Sequence, residues 1–177
     1  LVDNFYIIEE QILEIIDETW NEPLLLGKEG LQMEDTARFA FCLGMDIVDF
    51  SRRTVGRQGE LIEALEKAVQ QSSTFQGFAD KVWVPAGDGL FVAFFTDRDE
   101  PETPVRCALE VARHIEDYNN ALRDGTAEAD LDRWRLLDVR MGISYGIVVK
   151  RTSMNQQPNL TGDALNLAAR VMSCGDA

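Results

Sequence analysis

Apolar and polar positions along the chain repeat with two periods, one helical and one extended. Residues 4–20 carry Phe5, Ile8, Ile12, Ile15 and Ile16 with acids between them, which is helical spacing. Such a helix suits packing on its own domain and a dimer or coiled-coil lead-in equally well. Residues 21–36 contain Pro23, Gly27 and Gly30 and read as a connecting loop. Over 38–50 the period becomes two. Phe39, Phe41, Leu43, Met45 and Ile47 fall on one face, and Ala40, Cys42, Gly44 and Asp46 on the other. A helix follows, with Leu61, Ile62, Leu65 and Val69 on one side. A short strand at 82–84, the turn Ala86-Gly87-Asp88-Gly89 and a strand at 90–95 predict a hairpin. Pro101 and Pro104 precede a second helix, whose apolar stripe reads as Val105, Leu109, Ala112 and Ile115. After a polar stretch (123–133), a strand at 136–149 alternates Leu137, Val139, Met141, Ile143 and Tyr145 with Asp138, Arg140, Gly142, Ser144 and Gly146. A last helix opens near Gly162.

The order strand, helix, hairpin, helix, strand, helix predicts an α+β fold. Its antiparallel sheet carries helices on one face, and small or polar groups line the other. An open sheet face of that kind requires a partner or a ligand. The chain of 177 residues suits one domain. It divides into a helix and loop over 1–36 and a compact body over 37–177. The first residue is Leu1, so further chain is expected upstream.

Composition narrows the function. Apolar residues make up 45% of the chain, enough for a core. No apolar run reaches the roughly 18 residues a membrane span needs, and no signal segment opens the chain. A net charge of −14 disfavours sequence-independent nucleic-acid binding. The same field repels a nucleoside triphosphate, so a triphosphate site would need local cations. Cys42, Cys107 and Cys174 are odd in number and far apart, which predicts reduced thiols and a cytoplasmic protein. His114 is the one histidine, so Ser-His or Cys-His catalysis has little to draw on.

Four acidic or polar positions stand out. Asp46 ends the small-residue face of its strand, and Asp88 sits at a turn. Carboxylates on neighbouring strands are the ligands that Mg²⁺ or Mn²⁺ prefers, with phosphate oxygens completing the shell. Asp-Gly is also a common hairpin turn, and Asp46 read alone is a polar strand end. Asn166 and Arg170 are spaced i, i+4 and project together from the last helix. An amide and a guanidinium so placed suit a phosphoryl transition state, or simply a solvated helix face.

In combination these segments resemble the class III adenylate and guanylate cyclases. The resemblance rests on Asp46-Ile47-Val48-Asp49-Phe50-Ser51, on Gly87-Asp88, on Val-Arg-Met-Gly-Ile-Ser-Tyr-Gly (139–146), and on Gly162-Asp163-Ala164-Leu165-Asn166-Leu167-Ala168-Ala169-Arg170. It covers about residues 38–175 and implies a ferredoxin-like fold. It implies that 37–177 is a catalytic domain making a 3′,5′-cyclic nucleotide and pyrophosphate. Asp46, the Ile47 carbonyl and Asp88 would hold two divalent ions, Mn²⁺ or Mg²⁺. One ion would activate the ribose 3′-hydroxyl and the other would clamp the β- and γ-phosphates. Amides around Phe50 and Ser51 would cradle phosphates, Asn166 would orient the ribose, and Arg170 would meet charge at the α-phosphate. The two metal-holding acids and the Asn–Arg pair of one site would come from different subunits of a head-to-tail homodimer.

The sequence departs from that family in four places. Val84 stands where adenylate cyclases carry a base-reading Lys, and Asn159 stands at the second base-reading position. Asp49 replaces a Gly beside the phosphate loop. The family's triphosphate-binding Lys and C-terminal hairpin lie beyond Ala177. A missing polar reader removes discrimination rather than catalysis, and Asn159 offers both donor and acceptor. The combination resembles the bacterial pyrimidine cyclases of Pycsar antiphage systems, which implies UTP or CTP as substrate. A divergent adenylate cyclase and a catalytically silent, dimerising nucleotide sensor are the alternatives. A diguanylate cyclase would show a Gly-Gly-Asp/Glu-Glu-Phe hairpin, which 86–90 is not. A purely structural α+β domain would leave the four aligned polar sites without a purpose.

Overall fold

The structure, a computed structural model, describes residues 36–96, 100–125, 133–152 and 156–174. The helix predicted over 4–20 and nearly all of the 21–36 loop lie outside the described residues.

The central strand β1 (Thr36–Ile47) buries Phe41, Leu43, Met45 and Ile47 on one face. Helix α1 (Val55–Gln71) meets that face with Leu61, Leu65, Ala68 and Val69. This i, i+4, i+7, i+8 set is what a core-facing helix requires. Each fully buried Leu or Phe there contributes about 1.5–3 kcal/mol of transfer free energy. Ser72 ends α1 and caps the short helix α2 (Ser73–Gly77), its hydroxyl accepting from Phe75 N at 3.0 Å. The predicted hairpin is present as β2 (Lys81–Pro85) and β3 (Gly89–Phe95), paired antiparallel. Gly87 turns it with φ of 71°, and Ala86 N bonds Gly89 O at 2.9 Å.

Helix α3 (Glu102–Asp124) covers the same sheet face, but on a different stripe from the one expected. Pro104, Cys107, Ala108, Val111 and Ile115 are buried, whereas Leu109 is 37% exposed and Val105 and Ala112 are half-buried. Ile115 alone of the expected stripe is fully inside. The reason is that Pro104 sits in the first turn, where proline is tolerated, and starts a stripe of smaller residues.

Strand β4 (Val139–Thr152) pairs antiparallel with β1, and β5 (Pro158–Thr161) pairs with β4. β5 is a strand that the apolar pattern did not predict, because only Leu160 of its residues is buried. The sheet order is β2-β3-β1-β4-β5, so the α+β, ferredoxin-like expectation holds.

One feature of the layering differs from expectation. Helix α4 (Asp163–Ser173) does not join α1 to α3 but lies on the opposite, small-residue face. Ala164, Leu165, Ala168 and Met172 form its buried side, and Ala169 is exposed. Ala40, Cys42, Gly44, Gly142 and Gly146 make a floor low enough for helix backbone to rest on. The Ser144 hydroxyl donates to the Ala164 carbonyl at 2.5 Å and pins the start of the helix. Small side chains on this face therefore accommodate a helix of the same chain, and only part of the face stays open.

Candidate functional site

Two backbone relationships bring Asp46 and Asp88 together. Asp46 is the register partner of Gly89 on β3, one residue after Asp88. Ile47 N then bonds Asp88 O at 2.9 Å, locking the end of β1 to the hairpin turn. Asp46 is half-buried and Asp88 is exposed. Burial pushes the Asp46 carboxyl above its ordinary range, and the neighbouring Asp88 carboxylate pushes the same way. Bonds from Arg140 pull it down but do not prevail.

Arg140 is the site residue to which the sequence reading gave no role. It faces Asp46 across β1 and β4 as a register partner. Its Nε donates to Asp46 Oδ2 at 3.1 Å, and its Nη2 donates to the same oxygen in a closer contact. The period-two pattern placed Arg140 on the Gly142 and Ser144 face. Its pairing with a residue 94 positions away needed the strand register.

Asp46, Asp88, Arg140, Phe91, Ala169 and Met172 border a cavity of about 260 Å³. It lies between the ends of β1 and β4, the hairpin turn and α4. Asn166 and Arg170 are not part of its wall. Both are exposed, and neither side chain has a partner among the described residues. Their helix thus contributes Ala169, Met172 and Ser173 to its own cavity and turns the amide and guanidinium elsewhere.

After Ile47, Asp49 adopts the left-handed conformation with φ of 55° and pairs with Arg52 at 3.2 Å. Asp is among the few residues that tolerate this region, as Gly does. Phe50 and Ser51 then open a single 3₁₀ turn, Phe50–Arg52, where the first N–H groups have no partner within the helix. Arg53 anchors this loop from below. It donates to the carbonyls of Trp134 at 2.7 Å, Leu136 at 2.8 Å and Val48 at 2.9 Å. That role was not legible locally, since two of its three carbonyl partners lie 81 and 83 positions along the chain.

The two positions expected to read a base lie on β2 and β5, which approach each other. Val84 is buried in the cluster that includes Leu160 and Leu165. Asn159 is exposed, with its Oδ1 accepting from Leu160 N at 2.8 Å. Neither borders the Asp46–Asp88 cavity.

The donor chemistry fits a hard divalent cation. Two neighbouring carboxylates repel each other unless a cation separates them, and Asp88 adds to the upward push on Asp46 that burial chiefly causes. No cluster of three or more His, Cys, Asp or Glu occurs among the described residues. A cation here would complete its shell with carbonyl, water or phosphate oxygen, as Mg²⁺ commonly does. No helix among the described residues is long and apolar enough to cross a membrane.

No family model and no curated protein sequence matches the chain. Solved structures do. A bacterial light-regulated adenylyl cyclase matches at 20% identity with a TM-score of 0.61, over 81% of this chain and 41% of that one. The guanylyl cyclase Cya2 matches at 19% identity and TM-score 0.61, over 80% and 73%. The adenylyl cyclase CyaB from P. aeruginosa matches at 16% identity and TM-score 0.57, over 80% and 74%. The chain spans well under half the length of the light-regulated enzyme. It has the α+β fold of class III adenylyl and guanylyl cyclase catalytic domains.

Proposed function

We propose that the chain is a nucleotidyl cyclase that converts a nucleoside triphosphate to a 3′,5′-cyclic nucleotide and pyrophosphate. The observation that carries this reading is the convergence of Asp46 and Asp88 at one cavity, through the Ile47–Asp88 backbone bond. In the reaction the ribose 3′-oxygen bonds to the α-phosphorus and loses its proton to solvent water. The bond from that phosphorus to the bridging oxygen breaks, and pyrophosphate leaves. Two divalent ions, Mn²⁺ or Mg²⁺, would supply Lewis acidity to both oxygens when bound at Asp46, Asp88 and the Ile47 carbonyl. Amides at Phe50 and Ser51 would receive phosphate oxygens.

Asn166 and Arg170 would act on the site of a second copy. Their exposure, and their absence from the wall of their own chain's cavity, support a head-to-tail homodimer with shared sites. Asn166 would orient the ribose and Arg170 would meet charge at the α-phosphate, an interaction worth about 3–4 kcal/mol for a preorganised donor. Mixing inactive Asp46→Ala with inactive Arg170→Ala then restores activity, because one site of each heterodimer is intact. No recovery in mixed samples that form heterodimers would refute the shared site.

The preferred substrate is a pyrimidine triphosphate, UTP or CTP, giving a cyclic pyrimidine second messenger of antiphage defence. Val84 supports this by offering no polar group to a purine, and Asn159 by offering an amide. Supplying each of the four triphosphates with Mn²⁺ and weighing the products tests it. Preference for ATP would make the chain a divergent adenylyl cyclase. No product from any of them would leave a silent nucleotide-sensing domain.

A further inference from the structure

We infer that Arg140 sets the metal affinity of this site, by holding the Asp46 carboxylate as an internal cation that a divalent ion has to displace. The inference rests on the reading of Asp46 and Asp88 as cation-holding residues, and it adds a competitor to them.

The pairing is built into the sheet. Asp46 and Arg140 are register partners on adjacent strands, so the guanidinium stays within reach of the carboxylate while β1 and β4 stay paired. Two of its nitrogens, Nε and Nη2, converge on the single oxygen Oδ2. Both side chains are mostly withdrawn from solvent, with 31% of the Arg140 side chain and 16% of the Asp46 side chain exposed. Water therefore competes poorly for either group, and a charge-assisted bond here is stronger than one at an open surface. Asp88 borders the same cavity and adds a second negative charge. Two carboxylates and one guanidinium leave one net negative charge. Adding a divalent ion without moving Arg140 would place three positive charges beside two negative ones. Displacement of Arg140 from Oδ2 frees that carboxylate oxygen for the ion and separates the like charges.

Three consequences follow for the purified 177-residue chain with Mn²⁺ alone as probe and no nucleotide present. First, Arg140→Gln removes the competitor, so Mn²⁺ binding read from the signal of the free ion tightens by about tenfold, the loss of roughly one charge-assisted interaction. Second, Arg140→Gln melts lower than the parent without metal, and Mn²⁺ raises its melting temperature by more than it raises the parent's. Third, in the unaltered protein Mn²⁺ increases the labelling of Arg140 by phenylglyoxal, located by mass spectrometry. The last measurement needs no variant, so it decides the matter even where Arg140→Gln does not fold.

Equal or weaker Mn²⁺ binding by folded Arg140→Gln overturns the inference, as does Arg140 labelling that Mn²⁺ leaves unchanged or lowers. Asp46→Asn and Asp88→Asn separate this from the reading it rests on. If Mn²⁺ binding is insensitive to both, the metal site itself is misassigned and the inference falls with it. If both abolish binding while Arg140→Gln leaves it unchanged, the metal site stands and Arg140 alone is misread.

Discussion

Gly142 lies directly beneath the carbonyl of Ala168: a methyl group on it would sit 2.3 Å from that oxygen and 2.8 Å from the side chain of Met172. The contact fixes how closely α4 rests on β4, and through Met172 it shapes one wall of the cavity. Gly142→Ala is expected to push the helix outward and to cost about 1–3 kcal/mol, the usual range for overpacking against an unyielding neighbour. Gly59→Ala is the contrasting case. Nothing lies within 4 Å of a methyl group there, and Gly59 is exposed within α1. That change should stabilise by about 0.4–1 kcal/mol by restricting the unfolded chain. Urea denaturation of both variants checks the pair. A Gly142→Ala variant as stable as the parent would remove the close-contact account of α4.

Arg53 satisfies the carbonyls of Val48, Trp134 and Leu136 at once, and its guanidinium also lies 5.9 Å from the centre of the Trp134 ring. Arg53→Met leaves three half-buried acceptors short of a donor and should destabilise by about 3 kcal/mol. Arg53→Lys keeps the charge but lacks the planar fork that spans several acceptors, so it should recover only part of that loss. Full recovery by Lys in chemical denaturation would mean that charge, not geometry, matters here.

Glu110 gives the molecule a defined acid sensitivity. Burial pushes its carboxyl up, but four bonds outweigh this and hold it at about 2. They come from Ser72 Oγ at 2.7 Å, Ser73 Oγ at 2.9 Å, Thr74 N at 2.9 Å and Thr74 Oγ1 at 3.0 Å. A folded-state value below the ordinary 4.5 means that the unfolded chain binds more protons in between. The stabilisation from Glu110 is therefore complete above about 4.5 and lost as pH falls toward about 2. Glu110→Gln should be less stable than the parent at neutral pH. The gap between them should narrow through that window when melting temperatures are compared pH by pH.

Of the three cysteines, only Cys174 is exposed. Burial pushes the Cys42 thiol up to about 12 and raises Cys107 as well. The thiolate is the reactive form, so both stay inert at pH 8. Iodoacetamide should label Cys174 alone in the native protein, and all three in denaturant. Native labelling of Cys42 would show that α4 lifts from the sheet, because Cys42 lies in the cluster beneath it.

The sequence by itself determined most of the elements and where Asp46 and Asp88 fall within them. Period-two alternation in β1 and β4 assigned each residue to a face, since a strand turns alternate side chains to opposite sides. The spacing of Leu61, Leu65 and Val69 fixed the buried side of α1, and Asn166 with Arg170 could be set on one side of the last helix. Asp46 at a strand end and Asp88 at a turn were legible for the same reason: each depends only on local conformation. Only the tertiary structure decided that α4 crosses to the small-residue face, that Leu109 points outward from α3, and that Arg140 holds Asp46. These are matters of register and of how closely backbones approach. They arise from contacts between residues far apart in the chain, and no local period carries that information.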